Sequence, residues 1–257
     1  MTHDPSGRLW EGQSIAFWEN LWSVPLLEIH DSIGSTNDRA RSLGADGWGV
    51  YTTVIADEQT AGRGRGGARW HSAPGAGLWI SVLLPAAPAP HLPLLVGLAT
   101  AEAIERACPG LTPRIEWPND VTLGDRKVAG VLCEGSGTYV VAGVGINLRT
   151  PPGGFPEDVD ARATALDREG ARSPDRSALA GALIAAFRGK MAAAGSTLSH
   201  EERVALSQRD ALEGRQVMTA QHGSGRALGI ADDGSLVLER EGGARVHVRA
   251  GRVRPAS

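Results

Sequence analysis

The chain has 257 residues, a formal net charge of −3, and a composition that is 42% hydrophobic and 21% charged. These values are typical of a folded globular protein and exclude a disordered or collagen-like chain. The small net charge also excludes a whole-protein field that would attract nucleic acid or an anionic membrane, so any anion site must be local.

The cysteines and the apolar segments indicate the compartment. Cys108 and Cys133 have no metal-ligand spacing and are too few for a disulfide framework. The chain begins without the continuous apolar stretch of a signal peptide, and no later window has the roughly 18 uncharged apolar residues of a membrane span. We therefore expect an untargeted, cytoplasmic protein with no membrane partner.

Strands and helices alternate irregularly along the first 150 residues, which predicts an α/β or α+β fold. Capping side chains at Ser35 to Asp38 predict a helix that ends at Gly44, and helical spacing predicts another over 92–108. Apolar or β-branched runs of strand length are separated by polar loops. The predicted strands span 26–30, 50–56, 78–84, 127–134 and 139–148.

The character of the chain changes twice more towards the C-terminus. Residues 149–174 are loop-like, and residues 177–194 predict an alanine-rich helix. Beyond these, short runs are separated by turn signals at Asp233-Gly234 and Gly242-Gly243, which predicts a small all-β module. The predicted organisation is an N-terminal extension (1–25), a main catalytic domain (26–210) and a C-terminal domain (211–257).

The N-terminal extension contains three tryptophans, Trp10, Trp18 and Trp22. It does not contain two helices joined by a tight turn with a basic reading face, so we expect no DNA binding. We expect the tryptophans to pack onto the main domain or at a subunit interface.

A loop rich in glycine and arginine, residues 58–70, is the most informative stretch. Its glycines expose backbone N–H groups, and Arg63, Arg65 and Arg69 would repel one another unless an anion lay among them. The pattern predicts a flexible loop that closes over phosphate or carboxylate, with a solvated basic loop as the alternative. The loop also matches G-x-G-x-x-G, but it does not run directly into a helix, so dinucleotide binding is disfavoured.

Two further clusters carry polar groups at strand ends. Residues 116–121 bring Asn119 and Asp120 to a tight bend, and Lys127 opens an apolar strand, where its charge would point into a site. The alternative is a hairpin whose lysine only marks the strand end.

Residues 143–147 contain two glycines, which permit close approach of a ligand or form a β-bulge. Residues 35–37 are alternatively a simple helix cap.

Together these clusters resemble biotin protein ligases. The similarity runs from about residue 26 to the C-terminus and rests on the order of five motifs. These are Ser35-Thr36-Asn37; Gln59 with Gly62-Arg63-Gly64-Arg65 and Trp70; Trp117-Pro118-Asn119-Asp120; Lys127-Val128-Ala129-Gly130; and Gly145-Ile146-Asn147. The resemblance implies an α+β fold with a mixed sheet, like that of class II aminoacyl-tRNA synthetases and biotin ligases, and a small C-terminal SH3-like β-barrel.

The resemblance also implies a two-step reaction. In that family the biotin carboxylate attacks the α-phosphate of ATP, with Mg²⁺ on the phosphates, and the biotinyl-5′-adenylate then reacts with a lysine of an acceptor protein. The first step joins two anions and needs fixed positive charge, which Arg63, Arg65 and Lys127 would supply as catalytic residues. The implied partner is a biotin carboxyl carrier domain, and a homodimer is left open.

The site residues implied by resemblance form two overlapping sets. Hydroxyl and amide groups suit the donors and acceptors of the neutral ureido ring of biotin, and the loop would close over biotin and the adenylate. The biotin set is Ser35, Thr36, Asn37, Gln59, Arg63, Gly64, Arg65, Lys127, Gly130 and Gly145. The nucleotide set is Arg65, Trp70, Asn119, Asp120, Lys127 and Asn147. The metal ligands are unknown, and Mg²⁺ bound with ATP is expected near Asp120.

Two departures from the family pattern leave alternatives open. The chain has Glu116 where family members usually carry lysine, and Ala68 where they usually carry arginine. We expect altered affinity or kinetics rather than lost activity. The alternatives are a lipoate ligase or octanoyl transferase, which the Gly-Arg-Gly-Arg motif disfavours, and a catalytically inactive biotin-binding regulator. A Rossmann oxidoreductase comes third.

Overall fold

The protein is described by a computed structural model that covers residues 8–86, 90–172 and 174–255. Parts of the predicted N-terminal extension (1–7) and C-terminal domain (256–257) lie outside the described residues. Within the described residues, no helix has the length and apolar character needed to cross a membrane.

The N-terminal segment is a small folded unit packed on the main domain. It consists of a hairpin, β1 (Leu9–Trp10) and β2 (Gln13–Ser14), and helix α1 (Ile15–Trp22). The Ser14 hydroxyl caps the helix by accepting a hydrogen bond from the backbone N–H of Phe17. Its three tryptophans pack together with ring centroids 5.1–5.8 Å apart: Trp18 stacks on Trp22, and Trp10 meets both rings edge to face. All three join the main hydrophobic core. The prediction that they pack onto the main domain is confirmed.

The main unit contains seven strands and five helices among the described residues. The predicted strands and the two long helices are confirmed, with no boundary shifted by more than three residues. In chain order the elements are β3 (Leu27–Ile33), α2 (Thr36–Ala45), β4 (Thr53–Gln59), β5 (Gly77–Pro85), α3 (Leu92–Ala107), β6 (Arg114–Glu116), β7 (Asp120–Leu123), β8 (Arg126–Gly135), β9 (Tyr139–Asn147), α4 (Glu157–Asp160), α5 (Arg176–Ala193) and α6 (His200–Ser207).

These seven strands form one mixed sheet in the order β3-β4-β5-β9-β8-β7-β6. The β3–β4 pair is parallel and the remaining pairs are antiparallel, so the predicted mixed sheet is confirmed. Side chains alternate along β5: Leu78, Ile80 and Val82 belong to the core that contains α3 and α5, whereas Leu83 belongs to the core under α2. Helices therefore cover both faces of the sheet.

The C-terminal module is a five-stranded antiparallel sheet in the order β13-β12-β11-β10-β14. Its strands are β10 (Gln216–Thr219), β11 (Gly223–Ile230), β12 (Leu236–Glu239), β13 (Arg245–Val248) and β14 (Val253–Pro255). This sheet fits the predicted SH3-like domain, although the strand pairs among the described residues do not close it into a barrel. Its core also contains Leu94, Leu98 and Trp117, so the module packs directly on α3 and on the β6–β7 turn.

Candidate active site

The predicted site residues converge on one cavity of about 390 Å³. It lies where the start of α2, the loop after β4, the β6–β7 turn, the strands β8 and β9, and the C-terminal module meet. Thirteen of the fourteen predicted residues line it: Ser35, Thr36, Asn37, Gln59, Arg63, Gly64, Arg65, Trp70, Asn119, Asp120, Lys127, Gly130 and Gly145.

Asn147 is the predicted residue that the structure does not bring to the cavity. Its Nδ2 donates a hydrogen bond to the carbonyl of Thr164 at 2.9 Å, and the residue is buried. The segment around Thr164 runs beside Lys127, whose backbone exchanges hydrogen bonds with Arg162 and Thr164. The amide of Asn147 therefore holds this segment, and its assignment to the nucleotide set stays a prediction.

One wall of the cavity is a chain of neutral polar groups. The backbone N–H and the hydroxyl of Thr36 donate to Gln59 Oε1 at 2.9 and 3.1 Å, and Gln59 Nε2 donates to the hydroxyl of Ser72 at 2.9 Å. The hydroxyl of Ser81 lies 2.7 Å from Thr36 Oγ1 and 2.6 Å from Asn37 Oδ1. Each side chain is thereby fixed in orientation before any ligand arrives.

Ser72 and Ser81, which hold this wall in place, were not predicted from the sequence. Ser81 is fully buried in β5 among apolar residues. A lone serine in the middle of a buried apolar strand is a signal, because a buried hydroxyl needs a hydrogen-bonding partner. Ser72 carries no comparable signal, since it lies in a polar loop.

Glycines of β8 and β9 form the floor of the cavity. Gly130 and Gly145 are directly opposite each other in the sheet, and Gly143 lies two residues away on the same face. A Cβ at Gly143 would collide with the amide of Asn37. A Cβ at Gly145 would collide with the indole of Trp70, and one at Gly130 would lie 3.0 Å from both Trp70 and Lys127. Gly143 and Gly145 therefore require glycine for packing reasons, whereas a side chain at Gly130 would need small shifts of Trp70 and Lys127.

The glycine-arginine loop has a defined fold. Gln59 pairs with Ser72 and Arg63 pairs with Arg69 in antiparallel bridges, and a short 3-10 turn spans Arg65–Gly67. The backbone N–H of Gly64 donates to the Ala68 carbonyl at 2.7 Å. After the loop the chain enters β5 rather than a long helix, which excludes the dinucleotide-binding alternative.

Arg65 and Lys127 direct positive charge into the cavity. Arg65 NH1 donates to Asn119 Oδ1 at 3.1 Å, and Asn119 Nδ2 donates to the Val131 carbonyl at 2.7 Å. Lys127 Nζ lies 2.7 Å from Asp120 Oδ1 and 5.1 Å from the centroid of the Trp70 ring. The lysine is held by an ion pair and a cation–π contact.

Arg63 lines the same cavity, but its guanidinium is engaged at the rim. NH1 and NH2 each donate to the carboxylate of Asp38 at 2.6 Å. Hydrogen bonds from Arg63 hold the pKa of Asp38 below its ordinary value, and the same contact raises the pKa of Arg63. Both groups are therefore charged at neutral pH.

Acidic groups lie beside Lys127. Glu116 and Asp120 are opposite each other in the β6–β7 hairpin and both line the cavity. Burial, followed by the negative charge of Asp120, raises the pKa of Glu116, while Lys127 and Arg215 partly offset that shift. The described part of the chain contains no group of three or more His, Cys, Asp or Glu side chains arranged to hold a metal ion.

The C-terminal module also reaches the cavity, through Gly251, Arg252 and Val253. These residues were not predicted from the sequence, because the contact joins segments far apart in the chain. Trp117, next to the cavity, donates its indole N–H to the carbonyl of Gly234 in the module at 2.9 Å. The cavity is thus built by both sheets.

Comparison with known proteins agrees with this geometry. Residues 30–150 match the Biotin/lipoate A/B protein ligase family, and residues 219–253 match the Biotin protein ligase C terminal domain. The chain is 35% identical over 242 residues to a biotin--[acetyl-CoA-carboxylase] ligase of Mycobacterium tuberculosis, covering 88% of each chain. It is 32% identical over 234 residues to the bifunctional ligase/repressor BirA of Bacillus subtilis, covering 84% of this chain and 70% of the relative.

Solved structures show the same likeness. A biotin protein ligase from Aquifex aeolicus in complex with biotin and ATP superposes with a TM-score of 0.79 at 28% identity, covering 90% of this chain and all of that one. The fold and the cavity define a ligase-type α/β enzyme. The chain belongs to the Biotin/lipoate A/B protein ligase family, with the C-terminal domain of its biotin protein ligase members.

Proposed function

We propose that this protein is an ATP-dependent biotin protein ligase. It forms biotinyl-5′-adenylate from biotin and ATP with release of pyrophosphate, and the lysine amine of a biotin carboxyl carrier domain then displaces AMP to form an amide with biotin. The observation that carries the proposal is one cavity whose lining combines neutral polar side chains, the cations Lys127 and Arg65, and glycines of β8 and β9.

The polar wall suits the uncharged head of biotin. Ser35, Thr36, Asn37 and Gln59 offer hydroxyl and amide groups, which can match the carbonyl and N–H groups of a ureido ring. Their mutual hydrogen bonds fix the wall, so little conformational freedom is lost on binding. At Gly64, where a Cβ would meet only Ala68 at 3.6 Å or more, the backbone of the loop can approach the ligand closely.

The cationic end suits the reacting groups. When the biotin carboxylate attacks the α-phosphate of ATP, two negatively charged groups come into contact. Lys127 and Arg65 place positive charge in the cavity, where it can stabilise that charge in the transition state. The Lys127–Asp120 pair holds the ammonium in place, and the loop above it excludes water from the adenylate. Trp70 and Asn119, beside these cations, are proposed to contact the nucleotide.

Mg²⁺ is proposed to accompany ATP. The cavity offers the carboxylates of Asp120 and Glu116, and carboxylate oxygens are the ligands that Mg²⁺ prefers. One or two carboxylates suit Mg²⁺ when phosphates supply the other ligands, so the residues present fit the ion. When bound, the ion would neutralise phosphate charge.

Three wider expectations accompany this proposal. The division into 1–25, 26–210 and 211–257 is supported by separate sheets in the main and C-terminal parts. A cytoplasmic location is supported by the two free cysteines, Cys108 and Cys133. A homodimer is tested by sedimentation of the purified protein.

The proposal is tested by incubating the protein with biotin, Mg-ATP and a biotin carboxyl carrier domain, and then measuring the mass of the acceptor. We expect a biotinyl mass increase that Lys127→Ala and Arg65→Ala reduce. Arg203→Ala is the matched control, because Arg203 is a surface residue of α6 paired with Asp232 away from the cavity. Unmodified acceptor together with intact biotin binding would favour the inactive regulator. Lipoyl or octanoyl transfer in place of biotinyl transfer would favour the other alternative.

A further inference from the structure

Four charged side chains connect the glycine-arginine loop to the elements beneath it. Arg63 of the loop makes the two 2.6 Å hydrogen bonds to Asp38, which lies in the first turn of α2. Arg41, one turn further along α2, donates to the same carboxylate at 2.9 Å. Arg41 NH2 also lies 2.8 Å from Glu134 Oε2, on strand β8.

This network reaches the polar wall of the cavity through a second contact of Glu134. Asn37 Nδ2 donates to Glu134 Oε2 at 2.7 Å, and Arg63 NH2 lies 3.9 Å from the same oxygen. The carboxylate that receives Arg41 therefore also orients an amide that lines the cavity. Loop, helix and strand are joined at one place on the rim.

The geometry distinguishes this network from an ordinary surface ion pair. Isolated exposed pairs contribute little, because water screens them and the side chains lose freedom. Here the Arg63–Asp38 contact is bidentate, and two arginines and two carboxylates alternate in sign. The side chains of Arg63 and Asp38 are 36% and 50% exposed, so dissolved salt can screen their attraction. The strength of the contact should therefore depend on ionic strength, which an experiment can vary.

Arg63 has a different orientation from the other two cations of the site. Lys127 and Arg65 are held by groups that themselves line the cavity, Asp120 and Asn119. The partner of Arg63, Asp38, does not line it. NH1 and NH2 of Arg63 therefore donate their hydrogen bonds to a carboxylate outside the cavity.

We infer that Asp38, Arg41 and Glu134 are positioning residues that hold the loop closed over the cavity, and that Arg63 acts through them rather than by touching the substrate. This inference rests on the proposed function, since it concerns retention of biotin and the adenylate. Loss of the contact frees the loop without removing any group that faces the ligand. Ligands then leave faster, whereas the rate of adenylate formation in the closed complex changes less.

The test measures dissociation of tritiated biotin from the full chain by chase with unlabelled biotin. For Asp38→Asn we expect dissociation about 3- to 10-fold faster, as for loss of a bidentate charge-assisted contact at a partly exposed site. Asp38→Glu, which keeps the carboxylate, should recover most of the wild-type rate. Asp46→Asn, the same change at the other end of α2, should leave the rate unchanged.

The dependence of the biotin dissociation rate on salt distinguishes this positioning role from a purely structural one. Raising NaCl should speed dissociation from the wild type more than from Asp38→Asn, because that variant has already lost the screened contact. Equal rates for wild type and Asp38→Asn, with biotin binding intact, would overturn this inference and leave the proposed function standing. Absence of biotin binding by the wild type would overturn both.

Discussion

The indole of Trp70 packs directly against Gly145, so that a Cβ at position 145 would fall inside the contact distance of its Nε1 and Cε2 atoms. The same ring lies under the ammonium of Lys127. Gly145 therefore determines the position of the Trp70 ring, and the Trp70 ring helps to determine the position of the Lys127 ammonium.

Gly145→Ala tests this relationship. Trp70 must move away from the floor, which displaces Lys127, and overpacking of this kind costs about 1–3 kcal/mol of stability. We expect kcat/KM for biotin transfer to fall by about 10²-fold, as for a misplacement of reacting groups near 1 Å. Gly97→Ala in α3 is the control, since a Cβ there meets nothing within 4 Å. That change should preserve activity, and equal activity of the two variants would contradict the packing role of Gly145.

Glu116→Gln should raise the stability of the protein at neutral pH. Burial raises the pKa of Glu116 above 4.5, so the folded state holds its proton more tightly than the unfolded state does. The cost of burying the charged form is present above the folded pKa and disappears as the pH falls towards 4.5. Urea unfolding in the presence of EDTA, from neutral pH down to about pH 4.5, should give the variant a higher free energy of unfolding than the wild type at neutral pH. The two free energies should become equal in acid. If the free energies of unfolding of the two proteins differed by the same amount at every pH, protonation of Glu116 would not be the cause of the difference.

His91 should make the protein lose stability in mild acid. His91 is fully buried, with its Cβ and backbone packed against Gly234, and burial lowers the pKa of His91 below 6.5. A depressed histidine pKa means that the unfolded state takes up the proton first, so stability falls as the pH drops below 6.5. Between about pH 7.5 and about pH 5.5, His91→Leu should lose less stability than the wild type by thermal unfolding. Parallel losses would show that other groups control the acid response.

Trp18→Ala should unfold the protein at lower denaturant concentration. Trp18 is 7% exposed, stacks on Trp22 and donates its indole N–H to the Trp10 carbonyl at 2.8 Å. Truncation of a buried tryptophan costs about 3–5 kcal/mol. Leu21→Ala on the same helix is the control, because Leu21 is 60% exposed, and it should cost under about 1 kcal/mol. A similar small cost for both variants would mean that the segment contributes little to the core.

The sequence predicted the elements that have strong local patterns. Strand β5 is a continuous apolar run, and α3 and α5 have helical spacing over several turns. Helix α6 was missed although its capping box, Ser199 with Glu202, is readable in the sequence. The four-residue helix α4 and the three-residue strand β14 are too short to show any period.

The site was predicted as a set of residue types but not as a set of contacts. Arg63, Arg65 and Lys127 were found because their charge is unusual in its local context. Their pairings were not predicted, because Asp38 lies 25 residues from Arg63 and Asn119 lies 54 residues from Arg65. Such pairings depend on sheet order, and spacing along the chain does not determine it.

The glycine floor limits how this protein can change under selection. A substitution can only add atoms at Gly130, Gly143 or Gly145, and each addition meets Trp70, Lys127 or Asn37. An inhibitor that binds against Trp70 and Asn37, the side chains that cover this floor, would leave few routes to resistance through Gly143 and Gly145. Escape would have to arise at the rim, where side chains can be exchanged without disturbing the packing beneath.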